Sequence, residues 1–188
     1  MNSFDPDIEN CLRMLQNGGI ILYPTDTIWG IGCDATDAAA VERIVALKNR
    51  PENKSFVVLV ATADELMKYA TVPDKNIFNY LDTTIKPATV IYESATGLAK
   101  NVTAADGSVA IRICKDEFCK QLIKHFGKPI VSTSANMAGM PSPSAFADID
   151  DKIKLNVDYV VNHKQNDTTI ASPSSIIKWK DGKAEVIR

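Results

Sequence analysis

The stretch SVAIRICKDEFCKQLIKHFGKPIVSTSAN, residues 108–136, decides the fold class. Val109, Ile111 and Ile113 alternate with Ser108, Ala110 and Arg112, the period of two that a strand with one buried face requires. Residues 115–126 read as a helix and 130–132 as a second short buried strand. Strand, helix and strand within thirty residues point to an α/β domain.

The same alternation runs outward in both directions. Upstream, Ile8, Cys11, Leu12 and Leu15 form one face of a helix over 7–17, ended by Gly18-Gly19. A buried strand at 20–23 breaks at Pro24-Thr25-Asp26-Thr27 and resumes around 28–33. Thr36 is placed to cap a helix running to about Asn49, stopped by Pro51. A strand follows at 56–61, then Thr62 and Glu65 as a capping box for another helix, a further helix at 73–81 and a strand at 88–92. Residues 93–107 read as a polar loop. Downstream, 144–153 reads as helix and 157–161 as strand. Strands at 175–180 and 184–187 flank an Asp181-Gly182 hairpin turn. The expectation is one domain over 1–188 built on an open, twisted, mixed sheet. Ligands in such sheets bind beyond strand ends.

At 45% hydrophobic and 23% charged, the composition is that of an ordinary soluble globular protein. A net charge of −2 gives no global field toward nucleic acid and leaves a local basic groove open. The first ten residues carry acids and no apolar run, and no apolar stretch is long enough to span a membrane. Cys11, Cys33, Cys114 and Cys119 include no CxxC pair, and neither His125 nor His163 falls beside one, so no metal site is expected. Four scattered thiols fit a reducing cytoplasm.

Polar residues gather at four strand or helix ends. Tyr23–Asp34 presents Thr25, Asp26 and Thr27, with Gly30 and Gly32 permitting close backbone approach; the plain alternative is a Pro-Thr-Asp turn. Lys48 extends the buried stripe of Val41, Ile44 and Val45, and Arg50 and Lys54 follow it closely. Three cations in seven residues can neutralise a polyphosphate; a lysine snorkelling from a helix end is the alternative. Arg112 sits among small neighbours on its strand face, where a guanidinium fork can meet a carboxylate or simply face water. Ser132, Thr133, Ser134 and Asn136 lie where a strand leaves the sheet, as ligand groups or as a self-satisfying turn. Ser174-Ser175 and Arg188 are further candidates. Cations, hydroxyls and an amide without a nucleophile–base pair suit holding a small carboxylate beside phosphates, with catalysis by proximity and charge stabilisation.

In order, GGIILYPTDTIWGIGCD, LKNRP, SVAIRI and PIVSTSAN resemble the YrdC/TsaC family, the threonylcarbamoyl-AMP synthases, from about Gly18 to the C-terminus. Lys48-x-Arg50 followed by Ser134-x-Asn136 matches the pattern of active members, and the resemblance implies catalytic roles for these four. It implies a YrdC-like, dsRNA-binding-like fold with a concave, positively lined cleft. It also implies condensation of L-threonine, bicarbonate and ATP, with Mg²⁺, to threonylcarbamoyl-AMP and pyrophosphate. The product would pass to a threonylcarbamoyl-transferase complex that modifies tRNA. Thr25, Arg112, Ser132 and Ser175 match threonine-binding positions. Lys48, Arg50, Ser108, Ser134, Asn136, Ser142 and Arg188 match ATP-binding positions. The chain departs from the family at Lys86-Pro87-Ala88-Thr89 and at Ser174-Ser175-Ile176-Ile177-Lys178, and the single-domain form, without a second C-terminal domain, is expected. A non-catalytic paralogue that contacts tRNA or double-stranded RNA on the same surface is the alternative implied by the same fold.

Overall fold

The computed structural model describes residues 4–50, 55–169 and 172–187. Helix α1 (Asp5–Gln16) buries Ile8, Cys11 and Leu15. The short antiparallel strands β1 (Ile21–Tyr23) and β2 (Gly30–Gly32) follow, then helix α2 (Ala38–Lys48). Its cap is Asp37, one residue after the expected Thr36: the Asp37 carboxylate accepts from the Ala39 and Ala40 N–H groups. Thr36 instead donates its hydroxyl to Asp34 at 2.6 Å.

Strand β3 (Val57–Val60) leads to α3 (Ala63–Tyr69), whose Thr62 cap accepts from the Glu65 N–H. The Glu65 carboxylate returns to the Ala61 N–H rather than to Thr62, so the expected box closes one residue early. Helix α4 (Asn76–Thr83) begins three residues after the expected start at Pro73. Then come β4 (Ala88–Tyr92), β5 (Val109–Ile113), α5 (Glu117–Phe126) and β6 (Ile130–Ser134). A 3-10 turn (Phe146–Asp148) precedes α6 (Asp151–Asn156), where one continuous helix over 144–153 was expected. The chain continues through β7 (Tyr159–Val160), β8 (Ser175–Lys180) and β9 (Lys183–Val186). Asp181 and Gly182 both take positive φ, 50° and 72°, as the tight hairpin between β8 and β9 demands.

The nine strands form one mixed sheet in the order β7-β1-β2-β6-β3-β5-β4-β8-β9. β6 stays in the ladder two residues longer than expected. It pairs with β3 through Ile130, Val131 and Ser132, and with β2 through Thr133 and Ser134. The registers align Lys178, Ile91, Ala110, Val57 and Ser132 in one row across five strands. Side chains paired across a ladder share a face, so this row marks the open, polar face. Val58, Val90, Val131 and Ile111 occupy the other, apolar face, and α3 and α5 pack on these strands.

All four cysteines are buried and form no disulfide; burial pushes the Cys11 and Cys33 thiols well above the usual range, and the hydrogen bond with Cys114, then burial, does the same for Cys119. Among the described residues, no helix is long and apolar enough to cross a membrane.

Candidate functional site

The polar face opens into a cleft of about 290 Å³. Its floor comes from Ala110 and Arg112 of β5 with Ser108 just before that strand, from Ser132, Thr133 and Ser134 of β6, and from Gly30 of β2. A Cβ at Gly30 would meet the Ser132 Oγ at 2.9 Å, so glycine leaves that hydroxyl its space. Arg50 and Ser142 stand on the rim loops. Of the candidates read from sequence, Arg50, Ser108, Arg112, Ser132, Ser134 and Ser142 therefore line one cavity. Neither histidine is among its lining residues.

Arg50 is presented by the end of α2, where Asn49 turns the chain with φ 49° and the Arg50 N–H donates to the Val45 carbonyl. Its guanidinium lies 4.5 Å over the Phe56 ring and donates to the Ser55 carbonyl at 2.7 Å. Burial lowers its pKa from the ordinary arginine value. Arg112 is only 5% exposed and forms an ion pair with Asp26 at 3.2 Å. It also donates to the Thr27 hydroxyl at 3.0 Å, while its Nε finds no hydrogen-bond acceptor among the described residues.

Lys48, a phosphate-binding position by the resemblance, lies beside the cleft rather than in its lining. It is 2% exposed. Its ammonium donates to the backbone carbonyls of Ser134 and Asn136 and so clamps the end of β6 from behind. Burial, with the neighbouring charge of Arg50, pushes its pKa down to about 7. Asn136 sits in the same turn. Its amide N–H groups donate to the Met137 and Met140 carbonyls, while its buried Oδ1 accepts nothing among the described residues.

The Thr25 hydroxyl is committed to its own turn. It donates to the Ile28 carbonyl at 2.8 Å, accepts from the Thr27 N–H and lies 3.0 Å from the Thr27 hydroxyl. Thr25 lines a second cavity of about 340 Å³, which shares Thr27, Ile28 and Trp29 with the cleft. At the start of β8, Ser174 lines the cleft, with its hydroxyl 2.8 Å from that of Thr89. Ser175 points the other way along the strand period and donates to the Pro87 carbonyl at 3.4 Å. Arg188, like Lys54, lies outside the described residues.

Sequence reasoning offered Thr27 and Asp26 only as part of a polar turn, and passed over Trp29 and the pairing of Asp26 with Arg112. Thr27 and Trp29 were within the quoted PTDTIWG turn, but only the ladder shows which of its side chains reach the cleft. Among the described residues, no group of three or more His, Cys, Asp or Glu side chains could hold a metal ion.

The family model of Sua5, YciO and YrdC, described as "Telomere recombination", matches residues 13–188. The threonylcarbamoyl-AMP synthase of Pseudoalteromonas translucida is 30% identical over 94% of this chain and 95% of its own. That of Xanthomonas euvesicatoria is also 30% identical, over 94% and 95%. The structure of P. abyssi Sua5 complexed with L-threonine superposes with a TM-score of 0.86 at 23% identity, covering 96% of this chain and 53% of that one. E. coli YciO gives 0.82 at 24% identity, covering 97% and 88%. The chain thus spans about half the length of the P. abyssi Sua5 it matches and nearly all of the two synthases. With the family model matched over nearly its whole length, the chain belongs to the Sua5/YciO/YrdC family.

Proposed function

We propose that the protein is a threonylcarbamoyl-AMP synthase, a nucleotidyltransferase that condenses L-threonine, bicarbonate and ATP and releases pyrophosphate. One observation carries the reading: two guanidinium groups, Arg112 and Arg50, line a single cleft with the hydroxyls of Ser108, Ser132 and Ser134. Arg112 suits a carboxylate and Arg50 a phosphate chain. The synthases of full-length similarity and the threonine complex of P. abyssi Sua5 support the assignment.

In this reading, Arg112 holds the threonine carboxylate, and Ser132 and Ser174 approach its amine and side chain. The amine adds to carbon dioxide drawn from bicarbonate, giving a carbamate and releasing a proton to solvent. The carbamate oxygen attacks the α-phosphorus, the bond to the β-phosphate oxygen breaks, and pyrophosphate leaves. Arg50 neutralises charge on the phosphates, while Ser134 orients them. Lys48 acts by fixing the Ser134–Asn136 turn. Mg²⁺ would arrive with ATP and neutralise phosphate charge. The lining described here offers hydroxyls and no carboxylate, and the Asn136 Oδ1 lies nearby without a partner, so the ion would keep mostly phosphate and water ligands. The domain covers the whole chain, works in the cytoplasm and hands its product to a transferase complex acting on tRNA.

Pyrophosphate release is measured with ATP, Mg²⁺ and bicarbonate, with and without L-threonine. Release that requires both threonine and bicarbonate is expected. A folded protein that releases none overturns the reading. Steeply salt-dependent RNA binding without any ATP requirement would then favour the non-catalytic paralogue.

A further inference from the structure

The ion pair behind the cleft carries an inference of its own. Asp26 and Arg112 are both nearly dry, at 7% and 5% exposure, and come from distant parts of the chain: the turn after β1 and the end of β5. Only Arg112 lines the cleft; Asp26 lies on the second cavity. Asp26 is itself fixed, since its Oδ2 accepts from the Lys115 N–H at 3.0 Å just beyond β5. On the other side, Arg112 donates to Thr27, whose hydroxyl is 3.0 Å from that of Thr25. An arginine side chain has many rotamers to lose on binding a ligand. Here a buried carboxylate, in charge contact with Nη2 but with no hydrogen bond to its Oδ1, and a turn hydroxyl that accepts from Nη1 restrict that freedom.

We propose that Asp26 is a positioning residue. It holds the Arg112 guanidinium in the one orientation that receives the substrate carboxylate, and so sets the affinity of the cleft for an amino-acid carboxylate without touching the substrate. The proposal rests on the reading that Arg112 binds that group. Opposing it is the negative charge of Asp26, which by itself repels a carboxylate. Pre-organisation outweighs the repulsion because an arginine released from a buried pair turns toward water and loses its alignment.

The test compares binding of L-threonine with that of L-threoninamide, which lacks the carboxylate, by calorimetry and by competition in the pyrophosphate assay. The ratio of the two affinities does not depend on the fraction of protein folded. Asp26→Ala is expected to lower the ratio about tenfold, mainly by weakening threonine, with the KM for ATP unchanged within twofold. Asp26→Asn keeps one acceptor oxygen, enough for either Nη2 or the Lys115 N–H, and should recover only part of the loss. Arg112→Gln should bring the ratio close to one, and adding Asp26→Ala to it should change the ratio no further. An unchanged or increased ratio in Asp26→Ala, with Arg112→Gln behaving as stated, overturns the proposal alone. A wild-type ratio in Arg112→Gln overturns the assignment of Arg112, and the proposal with it.

Discussion

The Lys48 ammonium donates to the Asn136 carbonyl at 2.5 Å, tying the end of α2 to the turn that follows β6. The Ser134 carbonyl takes a second bond from the same group, and the Lys48 carbonyl accepts from the Ala138 N–H at 3.0 Å. Lys48→Met keeps the volume and removes the clamp. Carbonyls left unpaired in a dry site cost about 1–3 kcal/mol, so a stability loss of about that size is expected by urea unfolding. Pyrophosphate release is expected to fall about 100-fold or more, because Ser134 loses its fixed position. Full activity in this variant would show that the clamp is dispensable.

Stability should also depend on pH through the same lysine. Its pKa falls from the ordinary lysine value of 10.5 in the unfolded chain to about 7 in the folded protein, chiefly through burial. Between these limits the unfolded chain binds more protons, so stability rises with pH from about 7 toward 10.5 and is lost as pH falls through 7. Unfolding wild type and Lys48→Met at pH 7 and pH 9 isolates the effect. Wild type is expected to gain on the variant by up to about 1.4 kcal/mol per pH unit; a flat difference would place the ammonium in a wetter site.

Ser174 and Ser175 separate two readings of one motif. Ser174→Ala should lower kcat/KM for threonine about tenfold, since its hydroxyl faces the cleft. Ser175→Ala should stay within twofold, because its hydroxyl meets the Pro87 carbonyl instead. Steady-state pyrophosphate release decides between them, and the reverse order would place the β8 register one residue off.

Gly30→Ala tests the floor. The added methyl would press on the Ser132 Oγ, a side-chain atom that can rotate, so the fold survives while the cleft shrinks. The KM for threonine is expected to rise about tenfold with little change in melting temperature. An unchanged KM would move the substrate away from Ser132.

Arg50→Ala should raise the KM for ATP at least tenfold and leave threonine binding nearly unchanged. The Arg50 rim and the Arg112 floor serve different charges in the proposed reaction. Equal losses for both substrates would merge the two subsites.

Much of this was legible in the sequence because hydrophobic period maps directly onto faces. Ala110 and Arg112 line the cleft as the alternation of β5 requires, with Ser108 just before the strand. Asp181-Gly182 could be read because few other pairs accept two positive φ values in succession. Lys48 was correctly seen to point inward, but what it meets there are carbonyls from residues 134 and 136, a contact no local pattern encodes. Asp26 reads locally as a turn residue. Its partner is far along the chain and on β5, which is not a neighbour of β1 in the sheet, so neither a local pattern nor a strand pairing announces the contact. Ser175 was favoured over Ser174 because a motif gives identity without phase, whereas the ladder with β4 gives phase.

The exchange of partners along β6 has a dynamic consequence. With β3 bonded to one end and β2 to the other, this interior strand carries Ser132 in the ladder with β3 and Ser134 in the ladder with β2. Amides bonded within a ladder exchange their hydrogens with solvent only when the unit that holds them opens. The floor of the cleft is thus tied to two neighbouring strands at once, and a substrate laid along it would be felt as added resistance to unfolding of the sheet.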